Sequence, residues 1–369
     1  MKLKTDKLRI KCILILINSI LFWGYASLAE NTKYNLEKTN QNSTAIQQQP
    51  EDLLAGIANA ICYSGFRNGQ HPDRGEGAKN PTEEQILEDL KLISFSSGCR
   101  LIRLYDCGEN SESVLNIISK NKLNLKVMLG IWLKAELSNH TGCAWLKEPI
   151  PTETLENNKI ANNREILNGI RLANEFPGIV VAVSVGNEAL VDWNDHKVEV
   201  DTVITYVQKV KKSIPQQVTV ADNYEWWASK GQKLAKELDF ISVHVYPVWE
   251  GRDIDEAMSY TIENIAKVRN AIPDSRIVIS EAGWATIASE FGDRASEEKQ
   301  KIYYSQLLEW SDKQNITTFF FEAFDENWKG DPGNNMGAEK HWGLFTNDRK
   351  PKLAMQQFNT KPNLMPVYK

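Results

Sequence analysis

Eight short apolar runs, separated by longer amphipathic stretches, constrain the fold of this chain more than any other feature. They are IANAICYS (57–64), RLIRLYD (100–106), LNLKVMLGIW (123–132), GIVVAVSVGNE (178–188), QVTVAD (217–222), DFISVHVYP (239–247), RIVISEAGW (276–284) and ITTFFFEAFDE (316–326). β-branched and aromatic residues dominate them, as in strands buried on both faces. Between them lie helical patterns. PTEEQILEDLKLISFS (81–96) opens on Pro81 and Thr82 and repeats apolar residues at 86, 87, 90 and 93. Further helices are expected over 111–121, 162–176, 200–214, 254–272 and 295–314, with a weaker one over 230–238. Alternating strands and helices call for a parallel sheet, and eight repeats close most simply as a single-domain (β/α)8 TIM barrel over residues 53–369. A doubly wound open sheet is the rival. It wants a glycine-rich phosphate loop after an early strand, and YSGFRNGQ (63–70) has no GxGxxG.

The chain ahead of the barrel has a different character. Residues 1–29 run from the basic MKLKTDKLRIK to an apolar segment ending in SLA, the pattern of a signal peptide or an N-terminal membrane anchor. Residues 30–52 are rich in Asn, Gln and Thr and are expected to form a disordered polar linker. Either reading of the N-terminus exports the barrel, so the protein is expected to be secreted, periplasmic or held at the cell envelope. Export permits disulfides, and Cys62, Cys99, Cys107 and Cys143 lie in the barrel region. Cys107 and Cys143 both follow predicted strands and can pair; buried free thiols are the alternative.

A net charge of −5 with scattered Lys and Arg argues against nucleic acid as a partner. Five His without an HxxxH or HxH pair give no basis for a metal site, and no GxSxG elbow supports a serine nucleophile. No cofactor is expected, and the chain is expected to act as a monomer.

In a TIM barrel, function collects at the C-terminal ends of the strands. Here those ends carry Tyr63, Phe66 and Arg67; Arg103, Tyr105 and Asp106; Trp132; Asn187 and Glu188; Asp222 and Asn223; His244 and Tyr246; Glu281 and Trp284; and Glu322, Asp325, Glu326 and Lys329. Glu188 and Glu281 end otherwise apolar strands, the fourth and the seventh, and can converge over the barrel mouth. Paired carboxylates facing one cavity are the apparatus of glycoside hydrolysis. Asn187 can hydrogen-bond a sugar hydroxyl, and Tyr246 can donate to a nucleophilic carboxylate. Trp132, Trp284 and Trp249 can stack on sugar rings. Arg103 and His244 either contact substrate or anchor a barrel carboxylate.

VSVGNEAL (183–190) and VISEAGWAT (278–286) resemble the two signature segments of glycoside hydrolase family 17, the β-1,3-glucanases and their relatives. RLYD, VYP and FEAFDENWKGD with the later EKHWGLF are similar to that family's other blocks, in the same order, over about residues 57–346. The resemblance implies a (β/α)8 barrel, retention of anomeric configuration, Glu188 as acid/base and Glu281 as nucleophile. It also marks Glu326, Lys329 and Glu339 as charged positions of the cleft that hold and tune the acid/base. Ala285 and Ala189 stand where many members carry Pro and Val, a departure towards a microbial branch. The implied activity is hydrolysis of β-glucan polysaccharide or oligosaccharide, with β-1,3 links as the expected target. A glucanosyltransferase would use the same residues. A non-catalytic glycan-binding barrel would lack one of the two carboxylates, and neither is missing.

Overall fold

The computed structural model describes residues 46–73 and 75–356, the side chain of Ser96 apart. The segment expected to be a signal or anchor (1–29) and the linker up to residue 45 lie outside the described residues. Within them the fold is a closed parallel barrel: β1 (Asn59–Cys62), β2 (Leu101–Arg103), β3 (Lys126–Ile131), β4 (Val180–Asn187), β5 (Gln217–Asn223), β6 (Ile241–His244), β7 (Ile277–Gly283) and β8 (Thr318–Phe321) pair in sequence order. β8 returns to β1 with Thr318 opposite Asn59. Every strand falls inside one of the eight apolar runs, β5 alone ending one residue beyond its run, because residues covered on both faces must be apolar on both.

The outer layer is α1 (Glu83–Ser96), α2 (Glu109–Lys120), α3 (Thr152–Glu175), α4 (Val200–Lys211), α5 (Tyr224–Lys230), α6 (Gln232–Ala235), α7 (Ile254–Ala271) and α8 (Glu297–Gln314), followed by the short α9 (Leu353–Gln356). Local signals explain their starts. Thr82 and Gln85 exchange side-chain bonds to each other's backbone N–H, a capping box that opens α1. Ser296 accepts from Lys299 N at the start of α8.

Two elements depart from the sequence reading. α3 begins at Thr152 rather than at 162, because its first turns are polar and carry no apolar period to read. The helix after β5 begins at Tyr224 rather than at 230, capped by Asn223, and buries Trp226 and Trp227. The compact unit also begins at Ile46, not at residue 53. Ile46 is buried, and Gln48 bonds Ile277 through both its amide oxygen and its amide nitrogen, at 2.6 and 3.0 Å. The last residues expected to be linker therefore seal the bottom of the barrel, at the start of β7. Among the described residues no helix is long and apolar enough to cross a membrane.

Cys62, Cys99, Cys107 and Cys143 are buried free thiols, the alternative to the Cys107–Cys143 pair. Cys107 donates to Gly130 O at 3.0 Å, and the Ile131 side chain at 2.7 Å, with the Cys107 sulfur at 3.2 Å, fills the space that a Cβ at Gly169 of α3 would need.

Candidate active site

Side chains from β2, β4, β6 and β7 meet inside the barrel at its C-terminal end. Arg103 organises them. It is only 1% exposed, and its Nη1 donates to Glu281 Oε1 at 2.7 Å and to Ser280 O at 3.0 Å. Its Nη2 donates to Asn187 Oδ1 on β4 at 2.5 Å. Arg103 thus crosses the barrel interior, tying three strands, and its guanidinium lies 4.6 Å from the Tyr105 ring centroid. A buried cation needs this set of acceptors to offset its desolvation.

Glu281 accepts from further donors: Tyr105 Oη at 3.0 Å and Tyr246 Oη at 2.6 Å, with His244 Nδ1 3.4 Å away. Burial opposes its charge. His244, Arg103 and the bonds from Tyr246 and Tyr105 outweigh burial and hold the carboxyl below the usual range.

Glu188 is built differently. It lies just past the end of β4 with φ +49, after Gly186 at φ +91. The left-handed backbone is rare for a residue with a Cβ and is held here by its surroundings. Glu188 N donates to Ala221 O at 2.9 Å, and Glu188 O accepts from Asn194 Nδ2 at 2.7 Å. The β4–β5 register shifts at this point, so Asn187 and Glu188, adjacent in sequence, both serve the mouth of the barrel. Asp222 supports the turn by accepting from Leu190 N at 3.0 Å; burial, reinforced by nearby Glu188, pushes its own carboxyl up.

His244 joins the two carboxylates. Its Nδ1 faces oxygens of both carboxylates, which accept when ionised, so Nδ1 carries a proton, while Arg103 Nη1 lies 3.2 Å from its Nε2. Nδ1 donates to Glu188 Oε1 at 2.9 Å. With Glu281 Oε2 3.4 Å from the same nitrogen, these two carboxylate oxygens can lie no more than 6.3 Å apart, the sum of 2.9 and 3.4 Å. Arg103 and His244, at 1% and 0% exposure, are anchors of the carboxylates rather than groups open to a ligand.

A second charged cluster rims the same end. Lys329 Nζ bonds both oxygens of Glu322, at 2.7 and 2.6 Å, and Glu326 Oε2 at 2.9 Å. Ser64 Oγ and Phe66 N also donate to Glu326. Burial pushes the Glu322 carboxyl well up; in Glu326, Lys329 and Ser64 overcome burial and hold it down. Glu339 is half-buried nearby. Burial, reinforced by Glu281 and Glu188, pushes it up to about 6 against the pull of Lys329.

Several residues named from the sequence belong elsewhere. Trp284 is fully buried; its Nε1 donates to Arg294 O and its ring packs 5.6 Å from Tyr303 of α8, so it is core and not a sugar platform. Beside it, Gly283 is small because the Phe321 carbonyl of β8 comes within 2.1 Å of where its Cβ would be. Tyr63 turns to the helix layer and donates to Asp89 of α1 at 3.3 Å. Asp106 accepts from Gly108 N and Ser111 Oγ, a turn leading into α2 rather than a ligand contact. Arg67 and Asp325 are taken up by Asp89 and Lys352. Trp132 stays half-buried beside the mouth, its ring 4.5 Å from that of His196. Trp249 is 45% exposed and sets its ring against Phe291 at 4.6 Å. Trp342, which sequence reasoning passed over, is buried with its ring 5.2 Å from that of Tyr246.

A (β/α)8 barrel whose C-terminal mouth holds two converging carboxylates, one clamped by cationic and phenolic donors and one more open, is the framework of a glycoside hydrolase. The chain belongs to the BtgE/BtgC glycoside hydrolase domain family, whose model matches residues 60–343. It is 28% identical to a glucan 1,3-beta-glucosidase of Arthroderma benhamiae, over 78% of this chain and 89% of that protein. It is 26% identical to an Aspergillus clavatus protein named "Probable glucan endo-1,3-beta-glucosidase", over 75% of this chain but only 40% of that longer protein. An endo-laminarinase from Formosa superposes with a TM-score of 0.70 at 28% identity, over 83% of this chain and 88% of that one.

Proposed function

We propose that this protein is an exported, retaining β-glucan hydrolase of glycoside hydrolase family 17 that cuts β-1,3 links. Glu281 is the nucleophile and Glu188 the acid/base. The activities named for the relatives and the order of the sequence blocks support the substrate. The observation that carries the mechanism is the shared histidine, which bounds the nearest Glu188 and Glu281 oxygens at 6.3 Å. Retaining enzymes hold their carboxyl groups about 5–5.5 Å apart, whereas inverting enzymes leave about 6.5–9.5 Å for a water.

In the first step a Glu281 oxygen attacks the anomeric carbon, the bond to the leaving oxygen breaks, and Glu188 gives that oxygen its proton. In the second, Glu188 takes a proton from water, the water oxygen attacks the same carbon, and the bond to Glu281 breaks. A sugar hydroxyl in place of water turns the second step into transfer. Asn187 supplies a carboxamide beside Glu188, while Lys329, Glu326 and Glu339 line the rim. The basic-then-apolar residues 1–29 support export, as a signal or as an anchor. The test is the product profile of purified protein on β-1,3, β-1,6 and mixed-linkage glucans, followed by NMR at early times. Initial β-anomeric products from β-1,3 chains are expected. Initial α-anomers would overturn the double displacement, and cleavage confined to other linkages would overturn the substrate.

A further inference from the structure

An exposed tryptophan is tied by a hydrogen bond to the loop that follows Glu188. Trp145 lies in the loop between β3 and α3, and its side chain is among the most open of the large apolar groups, at 58% exposure. Its position is nevertheless determined. Its Nε1 donates to Asp195 Oδ2 at 3.1 Å, and the other Asp195 oxygen lies 3.1 Å from His196 Nδ1. His196 Nε2 is 2.9 Å from the Asn187 carbonyl, and its ring lies tilted against that of Trp132. The backbone beneath is fixed as well. Asn139 Nδ2 donates to Asp192 O and Asn194 O at 2.6 and 2.8 Å. Gly142 lets the Asp192 carbonyl in so closely that a Cβ would sit 2.3 Å from it. The loops after β3 and β4 are thereby locked to each other, and Asn194 of the second loop also bonds the Glu188 carbonyl.

A solvated indole gains nothing for the fold from being immobilised, since ordering a side chain costs entropy that exposure does not return. It gains for a ligand, because a pre-placed ring binds without that cost. Resting on the acid/base role of Glu188, we propose that Trp145 is the stacking platform for a glucosyl unit of the leaving segment, downstream of the cleaved bond. Glu188 protonates the leaving oxygen, so the leaving sugars must pass over the side of the cleft that Glu188 and its loop border. The same ring would receive an incoming sugar acceptor, because transfer reverses the departure step. Asp195 and His196 are positioning residues for the indole.

The test compares wild type, Trp145→Ala and Trp145→Phe on β-1,3-gluco-oligosaccharides of increasing length, with product analysis at high oligosaccharide concentration. Trp145→Ala is expected to lower kcat/KM by about tenfold on the longest chains, mainly through KM, with a loss that shrinks as the chains shorten. Its transfer products should fall relative to hydrolysis, and Trp145→Phe should keep most of both. A loss in Trp145→Ala that is absent, or equal at every length, overturns the platform while leaving the hydrolase intact. A wild type that leaves every β-1,3 chain uncut defeats the parent reading and this one with it. Circular dichroism checks that the variants fold.

Discussion

The two carboxylates at the barrel mouth sit in opposite settings. Glu281 lies within β7, is buried, and is surrounded by Arg103, His244, Tyr105 and Tyr246 from two other strands and their ends. Glu188 sits past the end of β4 in a left-handed backbone conformation, with a side chain 23% exposed against 7% for Glu281, and accepts from His244 Nδ1. The difference matches the role proposed for each group. A nucleophile has to stay charged and aimed, so donors crowd it. An acid/base has to give up a proton and regain one, so it needs room and access to water.

The largest break in this comparison is removal of the clamped partner. Glu281→Ala is expected to cut kcat on β-1,3-glucan by a factor on the order of 10⁴–10⁶ with the fold unchanged by circular dichroism. Comparable rates in the variant would end the nucleophile assignment. Glu188→Ala should cost less, about 10²–10⁴ on natural glucan. Most of that loss should vanish on an aryl glucoside whose phenol leaves without a proton, and a loss independent of the leaving group would contradict the acid role.

Tyr246→Phe removes one of the donors that keep Glu281 ionised. Glu281 is held below its ordinary 4.5, so its charge persists as pH falls and disappears only below that value. Losing a donor raises the carboxyl, so the acid limb of the rate profile should move to higher pH, with kcat down about tenfold at neutral pH. An unmoved limb would show that the tyrosine contributes shape alone.

The smallest effect concerns the rim. Glu339 is raised to about 6 in the fold from an ordinary 4.5. The stability tied to its protonated form is complete below 4.5 and lost as pH rises through about 6. Glu339→Gln escapes that loss: its Tm should match wild type near pH 4 and exceed it by roughly 1–3 °C at pH 7, by calorimetry. Parallel curves would place Glu339 in solvent.

Much of the site was legible because period-two alternation survives at strand ends. Arg103 and Tyr105 share one parity on β2, and His244 and Tyr246 share one on β6; all four reach Glu281. The same rule, applied strictly, would have removed three residues. Trp284 is three positions from Glu281, Asp106 three from Arg103, and Tyr63 next to Cys62, whose thiol donates to the Ser280 carbonyl that Arg103 also reaches, so each belongs to the other face. Alternation fails at Asn187 and Glu188, where neighbours reach one site. The shifted register and positive φ responsible have no side-chain signature beyond Gly186. The Trp145–Asp195–His196 chain is equally silent, since 50 residues separate its first two members.

The sequence by itself determined the number and order of strands, the barrel class and the two glutamates, because burial on both faces leaves an apolar run and a charge at its end stands out. Tertiary structure alone decided that Arg103 would serve three strands, that one histidine would bridge both carboxylates, and that Trp284 would be core while Trp145 stayed open. Those outcomes depend on which residues, distant along the chain, come within hydrogen-bonding reach when the barrel closes.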